Sequence, residues 1–237
     1  MTWLHVAAGA FVLAITPAAL FVPLGGRWHR RIGAAFAIAM GIVLISALFM
    51  WQPKGHVFLF ALVFVSAYLI YNGVRVVERR RRRARDPLDD GVDAASAAVA
   101  ALSGVWLFGL AATAATDEMR SLVPVLYGLG AIAIAFALND VHGLIRGRRQ
   151  RIGWLLAHLS AMLSAYVSGV TAFVVINAHH VPMLLRWSVP IGLGTLVITA
   201  YSIRYRLAAA KANRRYRARA PSISASVPGE IQIDVVR

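Results

Sequence analysis

Seven histidines carry most of the chemistry open to this chain, because its 237 residues include no cysteine and only ten carboxylates. His158 stands apart from the rest. It lies in "WLLAHLSAMLSAYVSGVTAFVVIN", Trp154 to Asn177, little more than one turn into a run long and apolar enough to cross a bilayer. An ionisable group at that depth is costly and needs a partner, a cavity or a cofactor. A neutral imidazole could hydrogen-bond a hydroxyl or carbonyl of a neighbouring helix. It could equally be an axial ligand of b-type haem, which helix bundles hold through histidine. Met162, one turn on, cannot supply a second ligand from the same helix.

The remaining histidines fall into two groups. His29 and His142 accompany His158 toward one side of the membrane, and His5, His56, His179 and His180 lie toward the other. Two groups on opposite sides suit two stacked haems passing electrons across the bilayer. Yet His29, His56, His179 and His180 sit at water-facing helix ends, where histidine is an ordinary interface residue, and only His5 and His158 fall clearly within spans. Asn139, Asp140 and His142 close the fifth span in "ALNDVHGL". Asp140 and His158 share a membrane depth, so a carboxylate–imidazole pair relaying protons or orienting a ligand is one reading. A helix-end carboxylate neutralised by the arginines of "IRGRRQR" is the other.

Seven elements must position these residues. Apolar windows of about 20 residues recur at roughly Trp3–Val22, Ile32–Trp51, Val57–Val77, Ala94–Ala115, Leu122–His142, Ile152–Asn177 and Met183–Ile203. The expected fold is an all-α polytopic bundle of seven transmembrane helices over residues 1–205. A basic cytoplasmic tail follows over 206–237, mobile after about residue 220. The loops "QPKG", "TDEMR" and "AHHVP" are too short to fold on their own.

The net charge of +15 does not require nucleic acid. Of 25 basic residues, 22 fall in Gly25–Arg31, Arg75–Asp93, Gly143–Arg151 and the tail from Arg204, which are alternate loops. The positive-inside rule then sets the amino terminus outside and the carboxyl terminus inside a bacterial inner membrane. No basic residue precedes Trp3–Val22, so it reads as a retained helix and not a secretory signal. "ERRRRRARDPLDDGVD" reads as a solvated topology determinant touching anionic head groups. "RYRLAAAKANRRYRARA" reads as a basic helix at the membrane surface. "RRIGAAFAIAM" and "QRIGWLLAHLS" share an Arg-Ile-Gly start, a weak sign of a parallel repeat.

On a helical wheel, Leu156, Leu159, Leu163, Val167, Val170 and Val174 form a stripe expected to face lipid. Ser160, Ser164, Ser168 and Thr171 form a second, and His158, Met162, Ala165, Gly169 and Ala172 a third. Small and hydroxylated residues permit close helix contact, so His158 is expected to point into the bundle.

Some chemistry is excluded. Without cysteine there are no disulfides, thiolate-held clusters or covalently attached haem. Retinal needs a lysine within the bundle, and the two lysines are Lys54 in a loop and Lys211 in the tail. No phosphate-binding glycine loop, zinc-protease helix motif or nucleophile elbow is present.

The tract "LHVAAGAFVLAITPAALFVPLGGRWHRRIGAAFAIAMGIVLISALF" resembles the DUF2306 family of bacterial membrane proteins. The likeness rests on His5 and Gly9 in the first helix and on Gly26, His29, Arg30, Arg31 and Gly33 before the second. Trp154, His158, Met162, Thr171, Ala172, Phe173 and Asn177 extend it. The resemblance implies a membrane protein without an established activity and singles out His5, His29 and His158. The expected function is b-type haem binding by these histidines and transmembrane electron transfer, with Asp140 and His142 as relay residues. The alternatives are a small-solute or proton-linked permease and a non-catalytic subunit of a membrane complex. No enzymatic reaction is assigned, and no metal is expected beyond haem iron.

Overall fold

The computed structural model describes residues 1–50, 57–81, 87–114, 117–146 and 152–219. The described residues form helices and no strand: α1 (Thr2–Ile15), α2 (Ala18–Phe21), α3 (Arg27–Met50), α4 (Val57–Arg81), α5 (Pro87–Ala112), α6 (Asp117–Arg146), α7 (Gly153–Asn177) and α8 (Met183–Arg219). Among the described residues, six helical stretches are long and apolar enough to span a membrane. They comprise α1 with α2, and most of α3, α5, α6, α7 and α8. Apolar segments with no water to satisfy their amides close every backbone bond internally, hence helices. These apolar helices are compatible with an integral membrane protein.

Two prolines shape the first span, which was expected as one helix over Trp3–Val22. Pro17 has no N–H to donate to Leu13, so α1 stops at Ile15 and α2 is a separate single turn. The freed Leu13 carbonyl accepts instead from the Tyr166 hydroxyl of α7, at 3.4 Å. Beyond α2 the chain reverses through Gly25, whose φ of 70° suits a residue without a Cβ. The Arg30 guanidinium donates to the Gly25 carbonyl at 2.9 Å and holds the turn against α3.

α5 and α6 pair closely, and α4 lies against α3, α5 and α7. α7 in turn is wrapped by α4, α8 and α1. Two backbones come close at Gly104 and Gly130, where a Cβ on Gly104 would come within 2.7 Å of the Gly130 carbonyl oxygen. At Gly194 of α8 an added Cβ would run into Val167 of α7. Close backbone packing of this kind holds membrane helices together where water supplies no driving force.

The position of α7 corrects the expected lipid stripe. Leu159 is 7% exposed and Leu163 8%, and Val167 packs on Gly194. Both sides of this helix are covered by protein, and only Phe173, Ile176 and Asn177 are exposed along its length. The reason is physical: lipid tails and a neighbouring helix are equally apolar, so a leucine stripe does not tell one from the other. Leu163→Ala should therefore lower thermal stability in detergent by about 2 kcal/mol, the low end for a buried Leu→Ala cavity because no water-transfer term applies. Leu196→Ala, at a 68% exposed position, is the comparison and should leave stability within experimental scatter. Equal melting of the two variants would restore the lipid-facing assignment.

α8 runs 37 residues without a break, about 55 Å, well beyond the roughly 30 Å hydrocarbon layer. Its last turns carry the exposed Arg204, Arg206, Lys211, Arg214 and Arg215. The basic stretch is thus the direct continuation of the last span, not a separate surface helix.

Candidate functional site

His158 leaves α7 toward α4, where its Nδ1 lies 2.8 Å from the Gly73 carbonyl oxygen. A carbonyl only accepts, so Nδ1 carries the proton and Nε2 is left with its lone pair. Gly73 makes the approach feasible. A Cβ there would sit 3.0 Å from both Cγ and Sδ of Met162, one turn on from His158. The absence of a side chain lets α7 settle onto the α4 backbone.

His29, in the first turn of α3, is oriented in the same way by a different device. Its Nδ1 donates to the Ala19 carbonyl of α2 at 3.2 Å. In a continued helix that carbonyl would accept from residue 23, but residue 23 is proline and has no N–H. The Thr-Pro break and Pro23 together present a free acceptor where His29 needs one. His29 therefore also keeps a bare Nε2. The rings of His29 and His158 lie 6.3 Å apart, centre to centre, with their planes at 65°. Gly33, one turn beyond His29, has open space where a Cβ would be.

His5 does not join this pair. Its Nδ1 lies 2.9 Å from the Ser46 hydroxyl and 3.2 Å from the Val43 carbonyl. Val43 is 14 residues beyond His29 on α3, about 21 Å along the helix, so His5 belongs to the opposite end of the bundle. His179 and His180 are exposed at that end, and His56 lies outside the described residues.

Asp140 is 8% exposed and accepts a hydrogen bond from the Tyr68 hydroxyl at 2.5 Å, not from His158. α4 accounts for this: its Gly73 carbonyl meets α7 while Tyr68 meets α6. Equal membrane depth did not mean the same side of α4. The Asn72 amide in turn donates to the Tyr68 oxygen at 3.4 Å. A small pocket runs from Asp140 past Asn72, Arg75 and Arg79 to Asp93 and Ser96. His142 is exposed and lines no part of it.

The far wall of that pocket is an ion-pair network joining α4 to α5. Arg75 Nε donates to Asp93 Oδ1 at 3.1 Å, and the Tyr71 hydroxyl reaches the same oxygen at 2.8 Å. Arg79 pairs with both Asp90 and Asp93, and Arg75 also with Glu78. Glu78, Arg79, Asp90 and Asp93 belong to the stretch read from sequence as a solvated charge run, and Arg75 lies three residues before it. The two ends of that run instead join Arg75 in a clamp that is buried at Arg75 and Asp93. The signal was the three- and four-residue spacing of Arg75 and Arg79 against Asp90 and Asp93, which puts each pair on one helix face.

Among the described residues no group of three or more His, Asp or Glu side chains converges as a metal-binding cluster. At its basic end the bundle brings two imidazoles, His29 and His158, close together. No protein-family model, curated protein or solved structure matches the chain.

Proposed function

We propose that His29 and His158 bind the iron of a b-type haem from its two faces, and that the protein carries electrons in the bacterial inner membrane. The observation that carries the reading is the matched pair of imidazoles. Both have Nδ1 tied to a backbone carbonyl, which leaves each Nε2 as a ligand atom of fixed orientation, the usual arrangement behind metal-bound histidine. Their spacing fits as well. A ring centre lies about 1.2 Å behind Nε2 and a metal–imidazole bond is about 2.0–2.1 Å, so two imidazoles sharing one metal stand about 6.4 Å apart. The observed separation is 6.3 Å.

Two features beside the pair favour the reading. Gly33 leaves room beside His29, and the exposed Arg27 and Arg31 of the same helix start offer guanidinium partners for carboxylate side chains. When bound, haem supplies one-electron chemistry; the protein's own residues fix the ligand tautomers and the polarity of the site. α4 is proposed as the seventh span, which places the basic end, with His29 and His158, on the cytoplasmic side by the positive-inside rule. The DUF2306 likeness, which falls on His29, Gly33, His158 and Met162, belongs to the same reading.

The visible spectrum of detergent-purified protein, with and without dithionite, is the test. After expression with ample haem, the expected result is a Soret band with sharp reduced bands of a low-spin b-type centre. Colourless protein under those conditions removes the proposal.

A further inference from the structure

We propose that Pro23 is a positioning residue for His29: it commits the Ala19 carbonyl to that imidazole and so decides which ring nitrogen stays free. This rests on the reading of His29 as a ligand and deepens it, by naming what holds the ligand ready.

The device is the seven-residue stretch "PLGGRWH", Pro23 to His29. Proline acts twice at its head. It disfavours helical backbone in the residue before it, and Val22 is extended, with φ −98° and ψ 154°. α2 therefore stops at Phe21. Proline also brings no N–H to position 23, the position that would claim the Ala19 carbonyl in a longer helix. The chain then turns back. The Gly26 N–H closes the turn on the Pro23 carbonyl at 3.1 Å, through Gly25 with its positive φ. A Cβ on Gly26 would meet the same carbonyl at 2.9 Å, so the turn has no slack. α3 begins at once with Arg27, and its first turn brings His29 Nδ1 to the Ala19 carbonyl at 3.2 Å. Acceptor and imidazole are only ten residues apart in the chain.

That contact fixes the chemistry of the ring. A carbonyl only accepts, so Nδ1 carries the proton and Nε2 keeps its lone pair. Without the acceptor a neutral imidazole can carry its proton on Nε2 instead, which removes the lone pair a metal needs. His158 depends on no such turn, because its acceptor, the Gly73 carbonyl, lies inside α4.

Pro17 supplies the comparison within the same segment. It frees the Leu13 carbonyl in the same way, but Tyr166 of α7 takes that group, not a histidine. Loosening of the connection between α1 and α3 is common to both prolines. Release of His29 belongs to Pro23 alone.

Nuclear magnetic resonance of the full chain in detergent, with isotope-labelled imidazole nitrogens, tests this without haem. At alkaline pH the rings are neutral and protonated and bare nitrogens resonate apart; the His29 signals are those lost in His29→Gln. The wild type should hold His29 with Nδ1 protonated and Nε2 bare. Pro23→Ala should move its proton toward Nε2, and Pro17→Ala should not. Unchanged His158 signals report that the bundle is folded. If they change in Pro23→Ala, the second variant is Gly26→Ala, which presses on the Pro23 carbonyl from the other end of the turn and should release His29 likewise. His29 kept with Nδ1 protonated in either folded variant overturns the assignment. Equal release in Pro17→Ala overturns it as well. In protein loaded with haem, Pro23→Ala should weaken retention about tenfold, the low end for loss of a ligand's hydrogen-bond partner, and retention as tight as the wild type's would overturn the role at the metal. A colourless wild type ends the haem proposal and leaves the nitrogen spectra to decide this one, so the two failures are distinguishable.

Discussion

If His29 and His158 hold haem as proposed, replacing His158 with alanine will abolish the low-spin spectrum, and His158→Gln will not restore it. The imidazole is held by one bond to Gly73 at 2.8 Å, and its ring centre lies 6.3 Å from that of His29. Alanine removes the ligand atom outright. Glutamine can recover part of the hydrogen bonding to α4 but supplies no nitrogen with a lone pair. On the same reading, His29→Ala would leave one of the two imidazoles that would hold the haem and would convert the spectrum from low-spin to high-spin. His5→Ala, at the opposite end of the bundle, and alanine at the exposed His179 and His180 should leave the spectrum intact. If His158 is only a structural residue, its loss is that of one polar contact between membrane helices, about 0.6 kcal/mol on average and roughly 1.7 at most. A spectrum that survives His158→Ala with no more than that loss of stability would leave the imidazole a structural role alone.

The helical class was legible because a run of about 20 apolar residues has few other solutions in a bilayer. The boundaries came close where the apolar run itself ends the helix. They missed where a helix continues into charged sequence, as α4 does to Arg81 and α8 to Arg219. His158, His29 and Asp140 were each visible as residues. Their pairing was not, because sequence gives a residue's depth in the bundle and not the direction in which it faces. Asp140 and His158, placed at one level by sequence, meet α4 at different residues, Tyr68 and Gly73. His29 reads as an interface histidine until Pro23 is seen to leave the Ala19 carbonyl without a helical donor. That pattern, a proline four residues after a carbonyl and a histidine six residues after the proline, was the available signal.

The stripes of α7 failed for a related reason. Ser168, on the hydroxyl stripe, bonds Ser66 of α4 at 2.7 Å, and Gly169, on the small stripe, faces Met40 of α3. Those faces do meet neighbours. The leucine stripe meets them too, because α7 is packed against α4, α8 and α1. Amphipathicity marks the inner face of a helix only where one side is water. In a bundle wrapped by lipid, van der Waals contact rewards leucine and glycine on the same interface.

Asp93→Ala should be the most destabilising single substitution among those considered, by about 3–5 kcal/mol, the cost of removing one partner from a buried ion pair. Asp93 is 8% exposed and receives Arg75, Arg79 and the Tyr71 hydroxyl on its two oxygens. Its loss takes from α5 the carboxylate on which two α4 guanidiniums converge. Among the pairs named above, Glu78 and Asp90 remain, but both are substantially exposed, and pairs of that kind contribute only about 0.2–1 kcal/mol. They cannot replace it. Ser168→Ala provides the scale, since it removes a neutral hydroxyl bond between α4 and α7 worth about 0.6 kcal/mol. Asp93→Asn should fall between the two, keeping an acceptor for Tyr71 and Arg75 but not the charge. Thermal unfolding in detergent at low ionic strength should therefore rank the variants as Ser168→Ala, Asp93→Asn and Asp93→Ala in order of increasing loss. Asp93→Ala melting with Ser168→Ala would mean that the α4–α5 clamp is open to water and contributes no more than a surface pair.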